Sequence, residues 1–342
     1  MSTMALNTGQ KLKGGKYTIE TELGRGRFGI TYLARDRNGN GHVIKTLNDQ
    51  VLNDPSEFER WQRNFAEEAF KLAKCKHRHI VEVEDSFEEA GLRCIAMEYI
   101  EGTNLAHRAQ AKLPEAEALR YIRQIGEALS VVHSNNLVHR DVRPENIMVR
   151  AAKSEAVLID FGLAREFDHD LTMTRAGDAA EGFAPPELYL RNAKRGAFTD
   201  VYSLAATLYV LLTGQLPTSA KERKFANASL VQPKEINPQI SDRTNRAILA
   251  GMQLEAKDRP QTVREWLELL GLTSVAPDQQ PPPVTKVWKW EAMLFWTAVA
   301  SVAGVLAAVA AWVMPIVKPD SPPASNPTPA ATPQVQTKPT KR

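Results

Sequence analysis

The first third of the chain alternates apolar and polar positions over five short runs. This period of two favours β-strands with one buried face. Between the second and third runs lies Asn38-Gly39-Asn40-Gly41, a combination typical of a tight turn. Residues 55–76 carry apolar side chains at helical spacing instead. The pattern therefore predicts one helix and a five-stranded, mostly antiparallel sheet, with strands at residues 17–23, 29–35, 41–47, 80–87 and 92–99.

Beyond Gly102 the pattern becomes helical. Residues 114–133 are amphipathic, and Pro114 suits the first turn of a helix. Residues 199–213 are apolar on nearly all sides, which indicates a buried helix. Two further helices are predicted at residues 241–250 and 263–270. We therefore expect an α+β fold with two lobes, a sheet-rich one at residues 17–97 and a mostly helical one at residues 98–272.

The two ends of the chain have a different character. Residues 1–16 are polar, lack the apolar segment of a secretory signal and are expected to form a flexible leader. Residues 273–292 are proline-rich and predict an extended linker. Residues 293–317 are uncharged and almost wholly apolar, long enough as a helix to cross the ~30 Å hydrocarbon core of a bilayer. Residues 318–342 are rich in proline, threonine, alanine and serine, which favours a disordered tail.

Composition adds little to this picture. The 342 residues carry a formal net charge of +3, so the total charge predicts no strong attraction to nucleic acid. The two cysteines, Cys75 and Cys94, each lie inside an apolar run. Two isolated cysteines form neither a disulfide framework nor a metal site. We expect both to be reduced thiols in the core.

Candidate chemistry is concentrated in residues 138–165. Asp141 follows His139-Arg140, Asn146 comes five residues later, and Asp160 precedes Phe161-Gly162. Two carboxylates and an amide at these spacings suit phosphoryl transfer. One carboxylate would orient a hydroxyl nucleophile, while the amide and the other carboxylate would hold a divalent metal on a polyphosphate.

Two upstream features complete such a site. Gly24, Gly26 and Gly29 form a GxGxxG loop between two predicted strands, whereas a dinucleotide-binding fold would place a helix after the glycines. Lys45 follows in the next strand and could hold phosphates. Such a lysine needs an acidic partner on the helix, where Glu67 and Glu68 are available, and a resemblance to the protein kinase pattern favours Glu68.

These motifs together resemble bacterial serine/threonine kinases of the eukaryotic-like (Hanks) type, over roughly residues 17–272, and FGITY is similar to cyanobacterial members. The resemblance implies a two-lobed protein kinase fold that uses ATP with Mg²⁺ or Mn²⁺. It implies that Asp141 is the catalytic base, aided by Lys45 and Arg143, and that Asn146 and Asp160 hold the metal. It assigns nucleotide binding to Leu23, Gly24, Arg25, Gly26, Arg27, Phe28, Gly29, Thr31, Val43, Lys45, Glu68, Met97, Glu98, Ile100 and Met148.

The same resemblance implies structural roles for other residues. Asp200 would brace the backbone of the His-Arg-Asp segment, and Arg259 would pair with Glu187 of the Pro-Pro-Glu segment. A stacked spine through the two lobes would consist of Leu72, Val83, His139 and Phe161.

Two positions depart from the family pattern. Arg143 replaces the usual lysine, and Ala180 replaces the usual threonine near the Pro-Pro-Glu segment. We hypothesise that Arg143 reaches Asp141 directly and compensates for the missing hydroxyl. The alternative is a slow or inactive enzyme. Thr172 and Thr174 lie between these motifs, where phosphorylation could create a charge partner for Arg140.

The expected function is that of a single-pass, membrane-anchored serine/threonine protein kinase with its catalytic domain in the cytosol. Its partners would be ATP and protein substrates, with self-association for autophosphorylation at Thr172 or Thr174 and no nucleic acid. The cell membrane is expected, or the thylakoid membrane if the chain is cyanobacterial. Two alternatives stay open: a membrane-anchored pseudokinase scaffold, and phosphoryl transfer to a non-protein hydroxyl.

Overall fold

A computed structural model describes residues 5–26, 29–48, 55–109, 112–151, 153–160, 181–190 and 192–273. These ranges all belong to the first of two units, Met1–Val275. Within them, no helix combines the length and the apolar character needed to cross a bilayer. The predicted membrane helix at residues 293–317, the tail, and all but residue 273 of the predicted linker lie outside the described residues.

The first lobe is built on an antiparallel sheet of six strands in the order β1-β2-β3-β4-β6-β5. The predicted turn at Asn38-Gly39-Asn40-Gly41 joins β3 to β4, and Asp36 accepts hydrogen bonds from the backbone of Asn38 and Asn40 there, each of 2.8 Å. The strands are β1 Lys11–Leu12, β2 Tyr17–Arg25, β3 Gly29–Asp36, β4 Gly41–Leu47, β5 Val83–Glu89 and β6 Leu92–Glu98.

Strand β1 lies in the segment that was expected to be a flexible leader, and this expectation is wrong for residues 5–16. Residues 5–16 pack on the sheet, with Leu6 and Leu12 buried at 7% and 0% exposure. Strand β1 pairs with β2 through Leu12 and Tyr17. The backbone amide of Lys13 donates a hydrogen bond of 2.7 Å to Glu89. The apolar side chains that leave water here are too few to give a periodic signal, but they extend the core of the sheet.

Helix α1, Pro55–Lys74, packs against β5 and β6. Its buried face contains Phe65, Ala69 and Leu72 at helical spacing. The strand predicted at residues 80–87 starts later in the structure, at Val83. Before it, Ile80 forms an isolated parallel bridge with Leu158. The chain therefore pairs first with the second lobe and only then enters the sheet.

The second lobe combines a small sheet with helices. The sheet has three antiparallel strands, β7 Gly102–Asn104, β8 Ile147–Arg150 and β9 Ala156–Leu158. One-turn 3₁₀ segments at Pro144–Asn146, Pro186–Leu188 and Ala256–Asp258 lie between the longer elements. The helices are α2 Leu105–Arg108, α3 Glu115–Ser134, α4 Ala197–Thr213, α5 Ala220–Phe225, α6 Pro233–Ile236, α7 Asp242–Gly251 and α8 Val263–Leu270.

Helix α4 is the centre of this lobe. Nearly every residue along it is buried, including Leu204, Leu208 and Leu211 at 0% exposure. It packs against α3, α7 and α8. The prediction of a buried helix at residues 199–213 is confirmed, with an N-terminus two residues earlier.

Both cysteines are unbridged and buried, as predicted. Burial raises the pKa of Cys75 to about 11 and, as the main cause, that of Cys94 to about 12. Because the thiolate is the reactive form of cysteine, both side chains behave as core hydrophobes at neutral pH.

The packing of β1 can be tested with Leu12→Ala in a fragment of residues 1–275. Because Leu12 is fully buried, we expect the free energy of unfolding to fall by about 2–5 kcal/mol. Urea denaturation measures this change. The matched control is Lys11→Ala, an exposed position on the same strand, with an expected change within about 0.5 kcal/mol. Equal effects of the two substitutions would show that β1 is not part of the core.

Candidate active site

A cavity of about 160 Å³ opens between the six-stranded sheet and the three-stranded sheet. Its walls contain eight of the residues assigned to nucleotide binding from the sequence: Leu23, Thr31, Val43, Lys45, Met97, Glu98, Ile100 and Met148. Val81, Tyr99 and Ile159 also line it and were missed. Tyr99 lies between two assigned residues, and Ile159 directly precedes Asp160, so adjacency alone could have indicated both.

The glycine loop directly follows Leu23 of the cavity wall. A Cβ atom on Gly29 would lie 2.8 Å from the carbonyl oxygen of Thr46, so only glycine fits this close approach. The amide of Gly26 donates a hydrogen bond of 2.9 Å to the carbonyl of Gly29, and the Asn48 side chain donates one of 2.6 Å to the Gly26 carbonyl. The loop thus folds back tightly on itself. Arg27 and Phe28 lie outside the described residues.

Lys45 projects from β4 into the cavity. Its ammonium group forms an ion pair with Asp160, which lies just after β9 in the other lobe. The predicted acidic partner, Glu68, is half-buried on α1, whereas Glu67 is exposed. Lys45 thus contacts Asp160, and the pairing of Lys45 with Glu68 stays a prediction. Proximity between two lobes decides this contact, and sequence spacing does not report it.

Asp141 and Asn146 are joined in the catalytic loop. The Asn146 amide nitrogen donates hydrogen bonds of 2.9 Å to both the carbonyl oxygen and Oδ2 of Asp141. The 3₁₀ turn at Pro144–Asn146 brings the two residues together. The amide of Ile159 in turn donates to the carbonyl of Asn146 at 2.9 Å. This contact places Asn146, and Asp141 bound to it, next to Ile159 and Asp160 of the cavity wall.

The donor groups fit a hard divalent cation. Because Asn146 uses its amide nitrogen toward Asp141, its amide oxygen is directed elsewhere, and Asp160 supplies a carboxylate. Carboxylate and amide oxygens suit Mg²⁺, which is commonly held by one or two protein groups together with phosphates. Among the residues that the structure describes, no group of three His, Cys, Asp or Glu could hold a metal without such help.

A buried aspartate holds the catalytic loop in place. Asp200 is fully buried on α4 and accepts hydrogen bonds of 2.8 Å from the backbone amides of His139 and Arg140. His133 adds a third contact of 2.7 Å. Burial alone would raise the pKa of Asp200, but the hydrogen bond and charge of His133 outweigh it and lower the pKa. The predicted bracing contact is thus present in the structure.

The backbone is strained at two residues of the site, one in the catalytic loop and one after β9. Arg140 and Asp160 have φ angles of 64° and 57°, in the left-handed region that costs residues other than glycine about 1 kcal/mol or more. Their hydrogen-bonded surroundings maintain this conformation. At His139, Nδ1 accepts from the amide of Asp141 and Nε2 donates to the carbonyl of Ile159, both at 3.2 Å. Complete burial lowers the pKa of His139, which favours this neutral form.

The expected spine is described in part. Leu72, Val83 and His139 are buried at 3%, 1% and 1% exposure. Phe161, the fourth member, lies outside the described residues.

Arg143 differs from its predicted arrangement. Its guanidinium forks onto Glu145, with Nε and Nη2 at 2.8 and 2.7 Å from the two carboxylate oxygens. Its planar group also lies 5.6 Å from the ring centroid of Phe183. The hypothesis of a direct contact with Asp141 is therefore not what the structure shows. Ala180, Thr172 and Thr174 lie outside the described residues.

Arg259 and Glu187 form the predicted buried pair. Two parallel hydrogen bonds of 2.7 and 2.8 Å join them. Arg259 also donates to the carbonyl oxygens of Gln253, Phe198 and Leu254. Because a buried guanidinium needs all its donors satisfied, this set anchors the Pro-Pro-Glu segment to the helical lobe.

Comparison with known proteins agrees with this geometry. Residues 17–268 match the family model described as Protein kinase domain. Serine/threonine-protein kinase PknF of Mycobacterium tuberculosis is 32% identical over 287 residues, which cover 78% of this chain and 58% of that protein. A probable serine/threonine-protein kinase of Clostridium perfringens is 29% identical over 264 residues, which cover 75% of this chain and 38% of that protein. The chain thus spans well under two thirds of the length of these curated relatives.

Solved structures give the same result. The apo form of PpkA-294 has a TM-score of 0.64 at 28% identity, covering 78% of this chain and 99% of that one. The kinase domain of Mycobacterium tuberculosis PknI has a TM-score of 0.62 at 25% identity, covering 78% and 99%.

The histidines behind the site predict an acid-sensitive fold. Burial, with the neighbouring His79 and Arg78, lowers the pKa of His77 from 6.5 to about 4. The unfolded chain therefore binds a proton between pH 6.5 and 4 that the folded chain does not bind, so stability falls as the pH falls through this window. We expect His77→Gln to reduce this loss by on the order of 2 kcal/mol.

Urea denaturation between pH 7 and 4.5 measures this effect. The matched control is His107→Gln, at an exposed position of α2, and its slope of stability against pH is compared with that of His77→Gln. An identical pH slope in His77→Gln and the unsubstituted protein would contradict the assignment.

Proposed function

The chain belongs to the protein kinase domain family, and we propose that it transfers the γ-phosphoryl group of ATP to serine or threonine hydroxyls of proteins. One observation carries this proposal. Lys45 and Asp160 line the cavity as an ion pair, and Asp141 is hydrogen-bonded to Asn146, whose carbonyl accepts from the amide of Ile159 in the cavity wall. This supports the proposal, because phosphoryl transfer needs a base, metal-binding groups and a cation for the phosphates.

The protein would act mainly by positioning and electrostatics. Asp141 orients the substrate hydroxyl and accepts its proton as the bond to phosphorus forms. Lys45 binds the phosphates of ATP, and Arg143 places a positive charge near Asp141. Asn146 and Asp160 would hold Mg²⁺, which when bound supplies positive charge to the phosphate oxygens. The largest part of the rate increase in such sites comes from preorganised charges and dipoles that stabilise the transition state.

The apolar part of the cavity would bind adenine. Thr31, Val43 and Met148 line it from opposite sheets, and the segment of Glu98 and Ile100 offers backbone groups to the base. The glycine loop would cover the phosphates through backbone amides. Apolar walls with few polar groups are typical of cofactor pockets.

Serine and threonine are the favoured acceptors. The relatives named above carry serine/threonine-protein kinase in their names. The catalytic loop reads DVRPEN, without the later arginine usual in tyrosine kinases.

Residues 293–317 would tether the enzyme to a membrane as one helix. Their length and lack of charge support this. Since ATP is cytosolic, the catalytic domain would face the cytosol at the cell membrane, or at the thylakoid membrane in a cyanobacterium. Tethering would concentrate the kinase near membrane substrates and near other copies of itself. Phosphothreonine formed at Thr172 or Thr174 between copies would then pair with Arg140 and order this segment.

Transfer can be measured with residues 1–275, Mg²⁺ and labelled ATP on a general protein substrate. We expect phosphoserine and phosphothreonine to form, and Asp160→Ala to lower the rate by roughly 10²- to 10³-fold because a metal-binding carboxylate is lost. Equal signals from the two proteins would refute transfer by this site. Nucleotide binding without any transfer would favour the pseudokinase scaffold. Phosphate found only on a small-molecule hydroxyl would favour phosphoryl transfer to a non-protein substrate.

The unusual arginine can be tested by restoring the family pattern with Arg143→Lys and Ala180→Thr together. Because Glu145 and Phe183 already hold the charge of Arg143 in place, we expect kcat to change less than about threefold, or roughly 0.7 kcal/mol in the barrier. Steady-state kinetics on the double variant measures it. A rise of tenfold or more would show that the natural pair slows the enzyme.

A further inference from the structure

Behind the cavity, a chain of charges connects the two lobes. Arg150 Nη2 lies 2.5 Å from Glu98 Oε1, and Arg150 Nε lies 4.0 Å from Glu155 Oε2. Glu155 also pairs with Arg78, which follows α1. We call Glu98, Arg150 and Glu155 the hinge clasp, and Arg78 lies at its outer end. The clasp joins the cavity wall at Glu98 to a strand of the second sheet.

The two central residues occupy equivalent places in different sheets. Glu98 is the last residue of β6, and Arg150 is the last residue of β8. Since side chains alternate along a strand, Arg150 shares a face with Met148, which lines the cavity. The ion pair therefore crosses from one sheet to the other directly beside the adenine wall.

The backbone around this pair is fixed on both sides. The amide of Glu98 donates to the carbonyl of Glu82, and the amide of Ala151 donates to the carbonyl of Glu101, each at 2.9 Å. At Gly102 the chain approaches β8 so closely that a Cβ atom would lie 1.9 Å from the carbonyl oxygen of Val149. Between these anchors, the Glu98 carboxylate adds a side-chain contact that joins the cavity-lining segment to the second sheet.

We propose that Arg150 is a positioning residue for the nucleotide. It holds Glu98, and with it the adenine wall, against the second sheet. Arg150 acts through Glu98 and has no part in the transfer step. The proposal rests on the proposed function, because it concerns the affinity of that same cavity for ATP.

The hydration of the clasp sets the size of the effect. The side chains of Arg150 and Glu98 are 28% and 27% exposed. They border a second cavity of about 310 Å³, which Lys76, His77, Arg78 and Glu82 also line. Water can therefore reach the pair, and a partly hydrated ion pair contributes little compared with a dry one. Loss of Arg150 should weaken nucleotide binding about three- to fivefold.

The test uses the full-length chain in detergent. The Kd for a fluorescent ATP analogue with Mg²⁺ is measured by titration, and KM for ATP and kcat by steady-state kinetics. For Arg150→Ala we expect Kd and KM to rise about three- to fivefold, while kcat changes less than about 1.5-fold. Arg150→Lys, which keeps the charge, should recover most of the affinity. A merely structural role would lower kcat and thermal stability together and would not separate KM from kcat.

A matched control comes from the outer end of the clasp. Arg78→Ala removes the other cation of Glu155 but touches neither Glu98 nor the adenine cavity. We expect it to leave Kd and KM unchanged. A double-mutant cycle with Glu98→Gln adds a direct measure of the pair, since the effects of Arg150→Ala and Glu98→Gln should be clearly non-additive.

Each result has a distinct meaning. Three results would overturn the proposed role of Arg150: an unchanged Kd in Arg150→Ala, additive effects in the double-mutant cycle, or an equal rise in Kd for Arg78→Ala. A full-length chain that binds nucleotide but transfers no phosphate overturns the proposed function alone, because the Kd measurements still decide the role of Arg150. A chain that binds no nucleotide overturns both.

Discussion

The candidate site depends on the hydrogen bonds that the buried carboxylate of Asp200 accepts. This carboxylate lies on α4, is wholly removed from water, and receives the backbone amides of His139 and Arg140. A buried charge is stable only when its partners satisfy it, and removing them costs several kcal/mol. That requirement forces the loop before Asp141 into one conformation, including the left-handed backbone of Arg140. The catalytic loop is therefore positioned by the most buried helix of the lobe.

The same helix positions the other side of the site. The hydroxyl of Ser203 donates to the carbonyl of Phe183 at 2.9 Å. The hydroxyl of Thr207, one turn later, donates to the carbonyl of Ser203 at 2.8 Å and lies 3.4 Å from the carbonyl of Val142. Two small hydroxyl residues of this helix thus contact two separate loops. The Arg143 guanidinium then packs over Phe183 between them. The positions of the loops beside the cavity therefore depend on contacts with the buried helix α4.

Sequence reasoning succeeded where the signal was periodic or local. Helix α4 and strands β3 and β4 have nearly the bounds that their hydrophobic patterns predict. The catalytic motifs are recognisable because the residues of each lie within a few positions of one another. It failed where the deciding contact is distant in the chain. Strand β1 has too few residues to show a period, Ile80 pairs with Leu158 before the sheet begins, and Lys45 meets Asp160 across the two lobes. Such contacts depend on how the elements pack, which no short window of sequence contains.

The position of Arg143 shows why the corrected contact suits catalysis better than the predicted one. Asp141 already accepts a hydrogen bond on Oδ2 from Asn146. A bidentate arginine on the same carboxylate would compete with the substrate hydroxyl for the remaining lone pairs. It would also stabilise the charged carboxylate and so make it a weaker base. With its fork on Glu145, Arg143 keeps its charge near Asp141 without occupying it. A planar guanidinium can do this because one edge binds a carboxylate while its face packs on an aromatic ring, a combination that a lysine ammonium lacks.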